Sequence, residues 1–191
     1  EIFPDKEHFG RIFRNNAILS SEGITQISAI MGSCVAGGAY LPIMSDEALI
    51  VEGTGSIFLA GSYLVKAAIG ENIDNETLGG ATTHSEISGV TDYKSKDDPD
   101  CLKSIQNIVD KIGDFDKAGF NRAKPAKPAK DEKEIYGILP IDRSKPYKMM
   151  DIIERLVDDS EFEEYKAGYG KTIITGYARM DGWAVGIVAN N

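Results

Sequence analysis

The chain is poor in the residues that usually mark metal centres and disulfide frameworks. Its 191 residues include only two cysteines and two histidines. Cys34 and Cys101 are far apart in sequence, and neither they nor His8 and His84 have the spacing of metal ligands. This pattern argues against a disulfide-stabilised fold and against a zinc site, and it is typical of a reduced intracellular protein.

Positive charge is also scarce. The chain has 21 Lys and Arg against 30 Asp and Glu, which gives a formal net charge of −9. Because a nucleic-acid-binding surface needs a basic patch to neutralise phosphates, this balance argues against DNA or RNA as a partner. No apolar run approaches the roughly 18–20 residues that cross a bilayer. The length and a hydrophobic content of 42% fit one or two packed domains.

The most informative stretch is a glycine-rich loop at residues 31–40, MGSCVAGGAY. A β-branched run, residues 24–30, precedes it, and a segment able to start a helix, residues 41–46, follows it. This order directs backbone N–H groups into open space, and glycines let a ligand approach the backbone closely. We therefore predict that the amides of Gly37 and Gly38 donate hydrogen bonds to a developing oxyanion. The alternative, a tight turn without a ligand, remains open.

The same loop permits a second hypothesis, with Ser33 or Cys34 as a nucleophile and a histidine as its base. Small residues around a serine before a helix occur in hydrolases, but the Gly-x-Ser-x-Gly elbow is absent here. His84 either lines a pocket or has a surface or capping role. A phosphate-binding loop ending at Gly170 is excluded, because Tyr165 replaces the required earlier glycine and a helix precedes the strand.

Hydrophobic periodicity divides most of the chain into alternating helices and strands. We predict helices at residues 9–19, 63–69, 75–81, 101–112 and 149–157, and strands at residues 24–30, 48–51, 56–60, 88–93, 172–180 and 183–188. The last two strands flank Asp181 and Gly182, a pair typical of a two-residue hairpin turn. Alternation of helices and strands indicates an α/β layer architecture.

One segment interrupts this alternation. Residues 124–130, KPAKPAK, contain too little apolar surface to join a core, so we predict an extended, semi-rigid linker with solvated lysines. The next segment, residues 135–140, is predicted to dock onto a new domain. The last run, residues 184–191, has the composition of a strand, and we expect the chain to be part of a longer protein.

Several short motifs are distributed over nearly the whole chain apart from residues 117–133. They are FPDKEHFGR at 3–11, GSCVAGGAY at 32–40, FLAG at 58–61, LGGAxxH at 78–84, SGV at 88–90, YGI at 136–138, FxxYK at 162–166, YG at 169–170 and TGYAR at 175–179. With these motifs the chain resembles the β (carboxyltransferase) subunits of biotin-dependent acyl-CoA carboxylases. Within that family it is most similar to the 3-methylcrotonyl-CoA carboxylases, since propionyl-CoA carboxylases usually lack the extra residue at Val35.

The resemblance implies a fold and a domain organisation. The fold is α/β and crotonase-like, a ββα superhelix, in two tandem domains of which the second is incomplete. Residues 1–118 correspond to the latter part of the N-terminal domain, residues 119–134 to the Pro/Ala/Lys linker and residues 135–191 to the start of the C-terminal domain. The family's second oxyanion pair belongs to a later part of the C-terminal domain. We therefore expect residues 1–191 alone to be inactive.

The resemblance also implies a reaction and its partners. Such a carboxyltransferase moves CO₂ from carboxybiotin, carried by a partner α subunit, to an acyl-CoA, here expected to be 3-methylcrotonyl-CoA of leucine breakdown. In the family, the biotin ureido anion removes a proton from the acyl-CoA, whose enolate attacks CO₂. The β subunits are expected to form a homo-oligomer, a hexamer, in the bacterial cytoplasm or the mitochondrial matrix.

By the same resemblance, Gly37 and Gly38 are the oxyanion donors, and the anion is the thioester enolate or the biotin ureido oxygen. Residues next to this pair are expected to bind the substrate: Val35, Ala36, Ala39 and Tyr40. Ser33 and Cys34 then become scaffold, and no metal ion is expected in this chain. Because the cofactor supplies the base, the protein needs donors and positioning rather than a catalytic histidine, which suits a histidine-poor chain.

Three alternatives stay open from the sequence. The acyl-CoA could be geranyl-CoA or propionyl-CoA, because the pocket walls include residues outside the chain. A crotonase-fold hydratase or isomerase would need a carboxylate near the glycine loop, for which Asp46 and Glu47 are the nearest in sequence. A non-catalytic interaction module would bind no acyl-CoA. Ser62 departs from the family pattern, in which proline is common at that position.

Overall fold

The computed structural model describes residues 7–112, 122–142 and 144–191. The chain forms two compact units, Glu1–Cys101 and Leu102–Asn191. Residues 3–6 of the first motif, the predicted domain end at residue 118 and the predicted linker residues 119–121 lie outside the described residues. The domain boundaries implied by the family resemblance therefore stay a prediction. None of the described helices is long and apolar enough to cross a membrane.

The first unit alternates short helices with short parallel strands. Its helices are α1 (Phe9–Ser21), α2 (Gly37–Ile43), α3 (Ser62–Ile69), α4 (Asn75–Gly79) and the beginning of α5 (Asp98–Ile112), with a π-helical turn at Thr83–Ile87. Its strands are β1 (Ile27–Ile30), β2 (Ser33–Val35), β3 (Glu47–Val51), β4 (Ser56–Phe58) and β5 (Tyr93–Ser95). They form a parallel sheet in the order β1-β3-β5 and a separate parallel pair, β2-β4.

The centre of the first unit is β3. All five of its residues are buried, as expected for the central strand of a parallel sheet. The surrounding core contains one cluster of small and branched apolar side chains: Ile30, Ala39, Ala48, Ile50, Ile57 and Ala81. This cluster includes residues of α2 and of β4, the strand that pairs with β2. Both elements that hold the glycine loop are therefore anchored to the same core.

The second unit is built on an antiparallel sheet in the order β6-β7-β8. Its strands are β6 (Phe162–Tyr165), β7 (Ile173–Met180) and β8 (Trp183–Asn190), and its helices are α6 (Ile135–Ile138) and α7 (Met149–Ile153), with 3₁₀ turns at Glu132–Glu134 and Asp158–Ser160. One apolar cluster forms its core: Ile153, Val157, Ile174 and Ala178. The hairpin turn has positive φ angles at Asp181 (52°) and Gly182 (78°), so the predicted two-residue turn is confirmed.

Three predicted boundaries are wrong, and tertiary contacts explain them. Helix α2 begins at Gly37 rather than near residue 41, because the chain preceding it is fixed to β4. The strand predicted at residues 88–93 is instead β5, whose position is set by pairing with β3. The helix predicted at residues 149–157 ends at Ile153, and Val157 enters the core in an extended conformation. The other predicted elements are present with shifts of a few residues.

The Pro/Ala/Lys segment, residues 124–130, has no helix or strand but is attached to the second unit. The Ala126 N–H donates to the Asp158 carboxylate (3.4 Å), and the Lys130 N–H donates to the Ser160 hydroxyl (3.1 Å). The Lys130 ammonium also forms an ion pair with Glu154. Composition alone suggested solvated lysines, but it cannot show that the backbone of the segment has partners.

Candidate active site

The glycine loop is held in place by β4. Strand β2 pairs in parallel with β4, and Val35 lies opposite Phe58. One further bond extends this ladder, from the Ala36 N–H to the Phe58 carbonyl oxygen (3.1 Å). The chain then turns, and α2 begins at Gly37. The position of the first amides of α2 therefore depends directly on β4.

Ala36 makes this turn in a backbone conformation that L-amino acids rarely adopt, with φ 50° and ψ −119°. A non-glycine residue held in such a region costs about 1–3 kcal/mol, and the surrounding structure must impose it. The hydrogen bond to β4 and the start of α2 supply that constraint from both sides. Strain of this kind is concentrated at functional sites, which makes the turn a candidate site.

Gly37 and Gly38 provide the first two N–H groups of α2. The next amide, that of Ala39, donates to the Ala36 carbonyl (3.0 Å). Among the described residues, no acceptor is found for the amides of Gly37 and Gly38. In the described part of the chain, no atom lies within 4 Å of the place that a Cβ atom of Gly38 would occupy, so the chain is open on that side. Two adjacent donors without an internal acceptor are suited to binding an oxyanion.

The residues predicted to bind the substrate differ in accessibility. Val35 and Tyr40 are 44% and 51% exposed, so their side chains can reach a ligand. Ala36 forms the strained turn. Ala39 is only 5% exposed and belongs to the core, and its N–H is already bonded, so it supports α2 rather than contacting a ligand. A substrate-binding role therefore remains a proposal for Val35, Ala36 and Tyr40.

The nucleophile hypothesis is not supported by the surroundings of Cys34. Burial raises the pKa of the Cys34 thiol, whereas a nucleophilic cysteine needs a thiolate. Its Sγ atom lies 3.9 Å from the Gly32 carbonyl oxygen. Ser33 lies in β2, opposite Ser56 of β4. Neither candidate is the partner of His84, whose ring nitrogens have other contacts.

His84 lies beside β4 and bonds to its backbone. The Nε2 atom is 2.8 Å from the Ile57 carbonyl oxygen, and the Nδ1 atom is 3.0 Å from the Ser88 hydroxyl. Because a carbonyl oxygen only accepts, Nε2 donates a proton in this bond. The ring thus bonds to the backbone of a strand, and no helix-capping bond of His84 is found among the described residues. No local pattern indicates this contact, since Ile57 is 27 residues away.

The same Ile57 carbonyl explains the first glycine of the LGGAxxH motif. A Cβ atom on Gly79 would overlap with the Ile57 carbonyl oxygen, so only glycine lets α4 end directly against β4. Gly80 then forms an isolated antiparallel bridge with Ser56. The motif thus closes the edge of β4 that faces away from the glycine loop.

The carboxylates nearest the glycine loop in sequence have positions in the fold. The Asp46 carboxylate accepts a hydrogen bond from the Gln26 N–H (2.8 Å). Glu47 begins β3 and is buried. Neither position favours the hydratase or isomerase alternative. Within residues 7–112, 122–142 and 144–191, no group of three His, Cys, Asp or Glu side chains could hold a metal ion.

Ser62 occupies a position where its departure from the family pattern is easily tolerated. It is the first residue of α3, after Gly61 as the N-cap. Proline is favoured at this position because the N–H of the first helical residue has no intrahelical partner. Serine in the same place leaves α3 intact.

Comparison with known proteins gives one consistent result. The whole chain, residues 1–191, matches the family model described as Carboxyl transferase domain. It is 50% identical over 191 residues to the biotin-dependent 3-methylcrotonyl-coenzyme A carboxylase beta1 subunit of Mycobacterium tuberculosis (strain ATCC 25618 / H37Rv). It is 47% identical over 197 residues to the mitochondrial methylcrotonoyl-CoA carboxylase beta chain of Arabidopsis thaliana. Both matches include 100% of this chain but only 36% and 34% of the relatives, so it spans about a third of their length.

Among solved structures, the chain is similar to transcarboxylase 12S, described as a hexamer assembly with hydrolysed methylmalonyl-coenzyme A bound. The TM-score is 0.83 at 31% identity, over 96% of this chain and 35% of that chain. The solved relatives are carboxyltransferases with the crotonase fold, and this similarity confirms the predicted fold class.

Proposed function

The chain belongs to the carboxyl transferase domain family, and on that premise we propose that it is part of the carboxyltransferase component of a biotin-dependent acyl-CoA carboxylase. The observation that carries this proposal is the pair of amides at Gly37 and Gly38. They lack an acceptor among the described residues, and the Cβ position of Gly38 is not occupied by other described atoms. The anion that they bind is the enolate oxygen of the acyl-CoA thioester or the ureido oxygen of biotin.

The two amides act by electrostatic stabilisation. When a proton leaves the acyl chain, negative charge accumulates on the thioester oxygen, and fixed N–H groups stabilise it without having to reorganise. Loss of one such donor typically costs about 2.7–4 kcal/mol in the transition state. Biotin, carboxylated on a partner α subunit, supplies the carboxyl group and the base. The loop fits this division of roles, because neither Ser33, Cys34 nor His84 is arranged as an acid–base catalyst.

The amide function is tested by replacing Gly38 in the full-length protein with its biotin-carrying partner. Gly38→Pro removes the N–H at a helix position without an intrahelical partner, so the fold should persist. Gly38→Ala keeps the N–H, and its methyl group meets no atom of this chain. We expect kcat to fall about 100- to 1,000-fold in Gly38→Pro and much less in Gly38→Ala.

A matched control is Gly137→Ala. Gly137 lies in the short helix α6 and also has open space at its Cβ position, but it lies in the second unit, outside the glycine loop. This variant should have the kcat of the unchanged protein. If Gly38→Pro also keeps that kcat, the oxyanion proposal is wrong.

The proposed substrate is 3-methylcrotonyl-CoA. The support is the identity of 47–50% with β subunits of carboxylases named for that substrate. Steady-state carboxylation with methylcrotonyl-, geranyl- and propionyl-CoA, measured side by side, tests the choice. We expect kcat/KM to be about tenfold or more higher for methylcrotonyl-CoA, since acyl pockets discriminate by this order of magnitude. A higher value for either competitor would reassign the substrate.

We further propose that the full-length protein forms a homo-oligomer of β subunits and binds a biotin-carrying α subunit. A hexamer is the expected size, because the similar transcarboxylase 12S is described as one. The relatives come from a bacterium and from plant mitochondria, so the bacterial cytoplasm or the mitochondrial matrix is the proposed location. Sedimentation of the full-length protein, with and without its partner, tests both parts of the assembly.

A further inference from the structure

Strand β4 is held from both of its edges. On one edge, the Phe58 carbonyl accepts from the Ala36 N–H (3.1 Å), which fixes the start of the glycine turn. On the other edge, the Ile57 carbonyl accepts from Nε2 of His84 (2.8 Å). Successive carbonyls of a strand point to opposite sides, so each residue of this short strand serves a different neighbour. Because Ile57 is only 6% exposed, water has little access to its carbonyl in place of the histidine.

The surroundings of His84 orient its ring. The Ser88 hydroxyl lies 3.0 Å from Nδ1 and the Ile57 carbonyl lies 2.8 Å from Nε2, so each ring nitrogen has one contact that fixes the ring. His84 and Ser88 are brought to this distance by the π-helical turn Thr83–Ile87, in which the Ser88 N–H bonds to the Thr83 carbonyl (2.9 Å). Such turns are rare and are frequent at functional sites. The turn therefore presents a donor of defined orientation to β4.

We propose that His84 is a positioning residue for the amides of Gly37 and Gly38, acting through β4. Without its Nε2 donor, the buried Ile57 carbonyl is left unpaired, and β4 shifts to satisfy it. The shift reaches the glycine turn through the hydrogen bond from the Ala36 N–H to the Phe58 carbonyl. The strained conformation of Ala36 depends on that hydrogen bond. This inference rests on the function proposed above and adds a residue that acts without contacting the reacting atoms.

The test compares His84→Leu with His84→Gln in the full-length protein with its partner subunit. His84→Leu removes the donor, whereas the side-chain amide of His84→Gln can still donate to the Ile57 carbonyl. We expect kcat to fall about 10- to 100-fold in His84→Leu, with the KM for acyl-CoA changed less than about threefold. His84→Gln should recover most of this loss. Ser88→Ala should give a smaller fall, because it removes one contact that orients the ring but leaves the Nε2 donor.

Gln26→Leu is the matched control. Its side chain bonds to Asn16 through two hydrogen bonds of 3.0 and 3.1 Å, in the same unit but outside the path from β4 to the glycine turn. This variant should lower the melting temperature and leave kcat unchanged. The inference is overturned if His84→Leu keeps full kcat, or if His84→Gln is as slow as His84→Leu.

Hydrogen exchange at the Ala36 amide separates this inference from the proposed function. If Gly38→Pro remains active, the oxyanion function is wrong, yet faster exchange at Ala36 in His84→Leu than in His84→Gln still supports the positioning role. Equal exchange in the two variants overturns it. If Gly38→Pro is inactive while His84→Leu is fully active, the function stands and the positioning role is wrong.

Discussion

Two turns of this chain each present a pair of consecutive backbone amides, and they differ in what those amides bind. In the second unit, the N–H groups of Asp181 and Gly182 both donate to the Asp158 carboxylate, at 2.9 and 2.7 Å. That carboxylate is 8% exposed, so the turn contains its own anion. In the first unit, the amides of Gly37 and Gly38 have no acceptor within the described part of the chain.

The space around Gly182 and Gly38 also differs. A Cβ atom on Gly182 would overlap with the Ala123 carbonyl oxygen, whereas one on Gly38 would meet nothing within 4 Å. The hairpin turn is therefore closed by protein atoms, and the glycine loop is open. In the hairpin turn the two amides bind a carboxylate of the chain itself, whereas the amides of Gly37 and Gly38 are left available for the ligand proposed above.

Removing the internal anion should have the largest effect on stability. Asp158→Ala leaves the buried Gly182 N–H and the part-buried Asp181 N–H without this acceptor, and a buried donor left unpaired costs about 1–3 kcal/mol. We expect the free energy of unfolding to fall by about 3 kcal/mol in urea denaturation. Asp159→Asn, at an exposed neighbouring position, is the control and should change little. A loss in Asp158→Ala no larger than in this control would contradict the comparison.

Adding a methyl group to each turn sharpens the contrast in space. Gly182→Ala places a Cβ at φ 78° against the Ala123 backbone, and we expect a loss of about 2 kcal/mol or more. Gly38→Ala should change the free energy of unfolding by less than about 0.5 kcal/mol. Thermal denaturation of both variants measures the difference. Similar losses in the two would show that the glycine loop is closed after all.

The strain at Ala36 predicts a smaller change in the free energy of unfolding, and here the substitution by glycine should stabilise the protein. Glycine is free of the steric cost of a positive φ, which is about 1–2 kcal/mol, although it makes the unfolded chain more flexible. Ala36→Gly should therefore stabilise the first unit by about 0.5–1 kcal/mol. Ala36→Val, which adds a branched side chain to the same backbone, should destabilise it. A fall in melting temperature in both variants would contradict this assignment of strain.

A second carboxylate of the second unit, that of Glu164, has no such donors in the part of the chain that the structure describes. Its replacement should have the smallest effect on stability. Glu164 lies in β6 opposite Gly176. No hydrogen-bond donor to its side-chain carboxylate is found among the described residues. Burial raises the pKa of its carboxyl group. Because the folded pKa exceeds the unfolded one, its contribution to stability is present below the unfolded pKa and is lost as the pH rises through the folded pKa.

Glu164→Gln should remove this pH dependence. The melting temperature of the variant should exceed that of the unchanged protein at about pH 7 and approach it at about pH 3, where the glutamate is protonated in both states. The difference should be smaller than the roughly 4–8 °C that 1 kcal/mol gives a small domain. A lower melting temperature of the variant at about pH 7 would show that the ionised glutamate has a stabilising partner.

Local signals predicted part of the fold well. The apolar spacing of α1 and the Asp-Gly turn between β7 and β8 are properties of short windows, and both elements are present. The start of α2 was misplaced because glycines are poor helix formers, and the helix begins at Gly37 only because Ala36 is bonded to β4. The position of β5 was also misjudged, since it depends on the register Leu49 to Tyr93, a contact far apart in sequence.

The candidate site was predicted to a similar extent. The glycine loop and the resemblance to its family were evident from the motif at residues 32–40. The motif did not show that Ala39 faces the core, because its small side chain fits either a ligand contact or a packed helix. It also gave no indication that His84 bonds to Ile57 or that Asp158 bonds to the hairpin turn, since both contacts join residues distant in sequence.

The attachment of the Pro/Ala/Lys segment has a consequence for the order of folding. Its partners Asp158 and Ser160 follow Ala126 and Lys130 by 32 and 30 residues. Closing a loop of that length costs entropy before any contact is gained, whereas the β7–β8 hairpin closes over a two-residue turn. In pulse-labelling hydrogen exchange during refolding, the Lys130 amide should therefore become protected after the amides of β7. The segment that composition presents as a connection is therefore fixed only after the β7–β8 hairpin has formed.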